Sequence, residues 1–309
     1  MKVLITDEVH PLLPEQLSAM GYTVTYLPAI SYAETLAMIA DYEGLVVNSK
    51  IQCSAPLLDQ APKLRWIARL GSGMEVIDTQ ECDKRGVRYF NSPEGNSNAV
   101  AEHALGLLLS LLNNITRSDK EVKQGQWIRE PNRGTELSGK TVGIIAYGHT
   151  GRAFARVLGG FDVQILAYDK YLSGFGTDRV REASLREIFE QADILSLHLP
   201  LTTETTCMID AAFLSNFRKP IYLINTSRGK VLQTTALIEA LQTGAVKGAA
   251  LDVLENERLQ DLKPAEKEWF DALIKNEQVI LTPHIAGWTH ESKRRIAEVV
   301  IEKLKALNL

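Results

Sequence analysis

The chain has 309 residues, roughly twice an average domain length, so two domains are expected. Apolar residues make up 45% and charged residues 23%, a balance that excludes a disordered or low-complexity chain. Lys and Arg number 34 against 38 Asp and Glu, and the net charge of −4 gives no electrostatic footprint for a nucleic-acid partner.

Met1-Lys2 leads directly into Val3-Leu4-Ile5, which reads as a first strand and not as a targeting segment. Short apolar runs follow at Thr23–Tyr26, Gly44–Val47, Trp66–Arg69 and Val87–Phe90. Amphipathic segments at Leu12–Met20, Tyr32–Asp41 and Ile77–Arg85 separate them. Strands alternating with helices at this pitch predict a parallel, wound α/β sheet. The cysteines, Cys53, Cys82 and Cys207, are far apart and form no CxxC pair. Neither a disulfide framework nor a metal site is expected of them.

From Ser97 the pattern changes. Val100, Ala104, Leu107, Leu108, Leu111, Leu112 and Ile115 recur at helical spacing over about five turns. Their apolar content exceeds one stripe, so the helix lies either in a core or against another subunit. Its most apolar run, Ala104–Leu112, has nine residues and is too short to span a bilayer. A soluble, cytoplasmic protein without a membrane partner is expected. A polar stretch, Arg129–Gly139, then precedes a second α/β series. Its strands are predicted at Thr141–Ala146, Val163–Asp169, Ile194–Leu199, Ile221–Asn225, Gly248–Leu251 and Val279–Leu281, with a closing helix over Glu291–Leu307.

The first of these strands runs into Ala146-Tyr147-Gly148-His149-Thr150-Gly151, an AxGxxG turn opening a helix. In a dinucleotide fold the second glycine lets backbone approach the pyrophosphate, and the third permits close helix–strand packing. Gly148 and Gly151 match those positions, while Ala146 stands at the first. The next strand ends in Asp169, 18 residues past Gly151, near the offset of about 20 for an acid that accepts ribose hydroxyls. A carboxylate there repels a 2′-phosphate and favours NAD over NADP, although Lys170 lies beside it.

Three later clusters carry chemistry. Asn225-Thr226-Ser227-Arg228-Gly229 places Arg228 at a carboxyl strand end, where α/β ligands bind. An Arg there can grip a carboxylate through two parallel hydrogen bonds. The segment after Leu251 offers Asp252, Glu255 and Glu257, and Thr282-Pro283-His284 supplies a histidine. Together these suit hydride transfer at a 2-hydroxy or 2-oxo acid, which needs a cation, a base near neutrality and a carboxylate to orient that base.

The ordered series Arg69–Gly73, Asn91–Asn96, Val100–His103, the glycine turn, His198-Leu199-Pro200, Asn225–Gly229, Ala250–Val253 and Thr282–Gly287 resembles the D-isomer-specific 2-hydroxyacid dehydrogenase family over nearly the whole chain. The resemblance implies a Rossmann nucleotide-binding domain, residues 98–286, inserted into a flavodoxin-like substrate domain, residues 1–97 and 287–309. The crossovers would be hinges over a cleft. It implies catalysis by Arg228, Glu257 and His284, with His284 taking the hydroxyl proton and Glu257 holding His284. NAD would be held by Gly148, His149, Thr150, Gly151, Asp169, His198, Pro200, Thr226, Ser227, Asp252 and Gly287, with Asp252 accepting from the nicotinamide carboxamide. Substrate contacts would come from Lys50, Gly71, Ser72, Gly73, Asn96 and Arg228. It also turns the Val100–Ile115 helix towards a homodimer contact.

Two departures stand out. Ala146 replaces a glycine, and Arg258 replaces the proline usual after the catalytic glutamate. The long, charged stretch Arg258–Gln278 is predicted to be a mobile loop. Gly44–Lys50, Trp127–Arg129, Gly134–Leu137 and His284–Thr289 resemble the family's phosphoglycerate-oxidising members, which open serine synthesis. Lys50 is then the first phosphate ligand, with Arg129 or Arg133 from a partner; Asn48 stands where such members often have Arg. Relatives acting on glyoxylate, hydroxypyruvate, erythronate 4-phosphate or lactate are the alternative, and an NAD-sensing corepressor-like protein is a third. The likeness ends at Leu309, where many such members continue into a regulatory domain, so feedback through one is not expected.

Overall fold

In strand after strand, consecutive apolar side chains are buried on opposite faces. The computed structural model describes residues 1–307, so the last two residues of the closing segment, Asn308 and Leu309, lie outside the described residues. Strands β1 (Lys2–Ile5), β2 (Thr23–Tyr26), β3 (Gly44–Val47), β4 (Trp66–Arg69) and β5 (Arg88–Phe90) form a parallel sheet in the order β2-β1-β3-β4-β5. Leu4, Leu45, Val47 and Ile67 enter one core, while Val3, Ile5, Val46 and Trp66 enter the other. Alternation with both faces apolar is what a parallel sheet covered by helices requires. Gly44 leaves room for the Trp66 ring, which a Cβ there would strike. Ala297, Val300, Ile301 and Leu304 of the helix His290–Ala306 cover the Trp66 side, so the chain's end completes the sheet of its beginning.

The second sheet has seven strands: β6 (Thr141–Ile145), β7 (Gln164–Tyr168), β8 (Val180–Glu182), β9 (Ile194–Leu197), β10 (Ile221–Asn225), β11 (Val246–Leu251) and β12 (Val279–Leu281). Their order is β12-β11-β10-β9-β6-β7-β8, all parallel. The chain winds outward from β6 in one direction, then returns to lay β9 on its other side. That reversal is a topological switch point, where the carboxyl ends of β6 and β9 leave a crevice for ligands. The edge strand β8 escapes sequence prediction, because Val-Arg-Glu offers one apolar residue and no alternation. The chain divides into two compact units, Met1–Asn98 with Gly287–Leu309, and Ala99–Ala286.

Two expectations are corrected. The helical segment expected through Ile115 is two helices, Pro93–Leu112 and Ile115–Lys123, broken where Asn114 adopts a left-handed φ of 53°. Ala101, Ala104, Leu107, Leu108, Leu111 and Leu112 pack with Ile144, Ile224 and Ala250 of the seven-stranded sheet. Most of the apolar excess is thus covered within the unit, while Ile115 stays exposed. Secondly, Arg258–Gln278 is not a featureless loop: Pro264–Lys275 is a helix begun by a proline in its first turn and by Glu266 accepting the Lys263 amide. Its Trp269 and Leu273, four residues apart, are buried. Among the described residues, no helix is long and apolar enough to cross a membrane.

Candidate active site

The turn after β6 shows why glycine chemistry is needed there. Gly148 is the extended N-cap of the helix His149–Val157, the kind of helix N-terminus whose amides and dipole favour an anion. A Cβ on Gly151 would collide with the Ala146 carbonyl oxygen, so only glycine lets the helix start so close to the strand. Ala146 has φ 72°, the left-handed region that costs a residue with a Cβ about 1–2 kcal/mol. The Asp169 carboxylate is oriented by three amides, Tyr147 N at 2.8 Å, Tyr171 N at 2.9 Å and Leu172 N at 3.0 Å. Beside it Lys170 is ion-paired with Glu204, which also accepts from the Tyr171 hydroxyl.

Beyond β9, His198 is buried against Phe154, and burial pushes its pKa down to about 3. Its Nε2 meets Ser196 Oγ at 2.9 Å, while Nδ1 is buried without a protein partner. Thr226 Oγ1, just past the neighbouring strand β10, is in the same condition. Such atoms cost free energy unless a ligand or water satisfies them.

Arg228 follows β10 in a turn built by Asn225. That side chain accepts from Ser227 N at 3.1 Å and Ser227 Oγ at 2.8 Å, and donates to Arg228 O at 3.1 Å. Gly229 then runs so close to the Leu254 carbonyl that no Cβ fits. The three acids after β11 take separate roles. Glu255 accepts the Thr234 amide at 2.6 Å, at the start of the helix Thr234–Gln242. Glu257 Oε2 meets His284 Nδ1 at 3.0 Å, both side chains being about half exposed. Asp252 is buried and accepts from Thr282 Oγ1 at 2.6 Å, Ile285 N at 2.9 Å and Ala286 N at 2.8 Å. Oδ1 takes two of these donors and Oδ2 one, which leaves an acceptor site on Oδ2. His284 itself has φ 56°, with its amide shared between Asp252 O and Thr282 O.

The remaining expected residues lie in the other unit. Ser72 Oγ donates to Asn96 Oδ1 at 2.9 Å, Gly71 N to Ser92 Oγ at 2.8 Å, and Gly287 closes on Asn96 so tightly that a Cβ would press on Nδ2. Gly71 needs its φ of 118° to bring this loop round. Lys50 Nζ donates to the Pro28 carbonyl at 2.6 Å, an attachment the sequence does not announce. Among the described residues, no group of three His, Cys, Asp or Glu could hold a metal.

The profile of the D-isomer specific 2-hydroxyacid dehydrogenase NAD binding domain matches residues 105–286, more than half of the chain. The chain belongs to this family. A D-3-phosphoglycerate dehydrogenase of Rattus norvegicus is 33% identical over 97% of the chain and 55% of its own length. A glyoxylate reductase of Thermofilum pendens is 37% identical over 90% of the chain and 81% of its own length. The structure of a D-lactate dehydrogenase from Aquifex aeolicus, complexed with NAD and lactic acid, superposes with a TM-score of 0.83 at 28% identity, covering 99% of this chain and 95% of that one. The chain spans about half the length of the phosphoglycerate dehydrogenases that it matches.

The family's cofactor fits the residues present. The Gly148 helix terminus suits the pyrophosphate, Asp169 the ribose hydroxyls, and the unpartnered His198 and Thr226 atoms mark the strand ends where a polar ligand supplies their missing bonds. Neither His103 nor Thr282 was assigned a role by the sequence. The structure puts both beside Asp252, His103 Nε2 lying 3.1 Å from Thr282 Oγ1. One signal was available: a histidine heading an otherwise apolar helical run.

Proposed function

We propose that the chain catalyses reversible, NAD-dependent oxidation of a D-2-hydroxy acid, with D-3-phosphoglycerate as its substrate. The observation that carries this is the 3.0 Å pairing of His284 Nδ1 with Glu257, in the unit that also carries Arg228 and the dinucleotide turn. With Nδ1–H given to the carboxylate, His284 presents Nε2 as the base for the C2 hydroxyl proton. Glu257 stabilises the imidazolium that results, and Arg228 grips the substrate carboxylate in two parallel bonds. Bound NAD supplies the hydride acceptor. The choice of a phosphorylated acid rests on the several phosphoglycerate dehydrogenases that match nearly all of the chain, and it would make this the step that opens serine synthesis. The likeness to a glyoxylate reductase favours a second reading, reduction of glyoxylate or hydroxypyruvate.

Initial rates measured separately with D-3-phosphoglycerate, D-glycerate and D-lactate, and in reverse with glyoxylate and hydroxypyruvate, decide between them. The expected result is a kcat/KM for the phosphorylated acid at least about tenfold above the others, equivalent to about 1.4 kcal/mol of selective binding. Faster turnover of glyoxylate moves the assignment to the second reading, and no turnover on any acid overturns both. His284→Asn is expected to lower kcat by about 10²–10⁴-fold with NADH affinity retained. Lys50→Ala tests the phosphate ligand: an equal loss on phosphorylated and unphosphorylated acids removes Lys50 from that role.

A further inference from the structure

The buried Asp252 carboxylate is a meeting point for the two segments that flank the chain's crossings between its units. Ile285 and Ala286, whose amides it accepts, immediately precede one crossing after Ala286. His103, in the helix Pro93–Leu112, lies just past the other, which follows Asn98. Its Nε2 is 3.1 Å from Thr282 Oγ1 and 3.5 Å from Asp252 Oδ1, with the side chain 23% exposed. A threonine hydroxyl has one proton to give. At 2.6 Å that proton goes to Asp252 Oδ1, so Thr282 Oγ1 is left as an acceptor and His103 must present Nε2–H to it.

We propose that His103 is a positioning residue for His284. Its Nε2–H orients the Thr282 hydroxyl onto Asp252, and that carboxylate, held in place, clamps the amides of Ile285 and Ala286. The clamp keeps His284 in its left-handed backbone conformation with Nδ1 on Glu257. The catalytic part of this inference rests on the function proposed above; the clamp does not.

Five variants test it: His103→Leu, His103→Gln, Thr282→Val, Thr282→Ser and the double variant His103→Leu/Thr282→Val. Gln and Ser keep the donor and the hydroxyl, whereas Leu and Val remove them. The readouts are kcat, the NADH dissociation constant by fluorescence titration, and hydrogen exchange at the Ile285 and Ala286 amides. For His103→Leu and Thr282→Val, kcat is expected to fall and both amides to exchange about tenfold faster, with NADH affinity within about twofold of the parent. His103→Gln and Thr282→Ser are expected to restore most of both, and the double variant to lose no more than the worse single one, as residues acting in one chain do. Additive losses, a Gln variant as poor as Leu, or unchanged amide exchange would overturn the proposal. If the parent protein turns over no 2-hydroxy or 2-oxo acid, the functional reading fails alone, and amide exchange still decides the clamp.

Discussion

Ala146 holds a backbone conformation that glycine adopts freely and alanine resists. The AxGxxG spelling therefore stores a small strain in the turn that opens the cofactor site. Ala146→Gly is expected to raise stability by about 1 kcal/mol, read as a higher urea midpoint at unchanged slope, without weakening NADH binding. His198 is a residue of the opposite kind, legible by position but not by state. The sequence places it after a strand; only burial, with Phe154 among its neighbours, makes it neutral, with its pKa pushed down to about 3. The unfolded chain, with an ordinary imidazole near 6.5, binds a proton that the folded chain refuses between pH 6.5 and about 3. Stability therefore rises with pH across that window and is lost as pH falls below 6.5. Between pH 7.5 and 5.5 this site costs about 1.4 kcal/mol. Chemical denaturation at the two pH values should show a drop smaller by about that amount in His198→Gln; an identical drop would remove His198 as the cause.

At the scale of elements, the strands were legible because a parallel sheet buried on both faces needs continuous apolar runs, such as Gly44–Val47 and Ile221–Asn225. The edge strand β8 and the helix Pro264–Lys275 were not. The first has little to bury, and the second hides its two buried residues among charges. The turn after β10 shows how an element positions chemistry. Gly229 lies against the Leu254 carbonyl, so the segment carrying Arg228 and the segment leading to Glu257 pack backbone to backbone. Gly229→Ala must push them apart. A cost of about 1–3 kcal/mol in stability is expected, together with a loss in kcat/KM larger than that for Gly106→Ala, whose Cβ meets nothing within 4 Å. Thermal unfolding and steady-state rates on both variants check this, and equal losses would contradict it.

For the whole molecule, the mild negative charge and the choice of cofactor meet at one place. Asp169 is the proposed acceptor of the ribose hydroxyls, and Lys170, the cation beside it, is neutralised by Glu204. NADH at about a hundred times its Kd is expected to stabilise the folded chain by about 2.7 kcal/mol. That corresponds to a rise of roughly 5–10 °C in the unfolding temperature of a unit this size. NADPH at the same concentration should give a clearly smaller shift, and an equal one would show that these charges do not select the cofactor. The sequence by itself determined the wound α/β class, the nucleotide turn and the kinds of side chain available, because apolar periodicity and turn chemistry are local properties of the chain. Composition and spacing alone did not sort Asp252, Glu255 and Glu257, which lie within six residues of one another; only the family resemblance paired Glu257 with His284. Tertiary structure decided that Glu255 accepts a helix-opening amide, that Glu257 meets a histidine 27 positions away, and that Asp252 clamps amides 33 and 34 positions away. The physical reason is that a carboxylate's role follows from the donors that reach it, and here those donors arrive from distant segments brought together only by the parallel sheet.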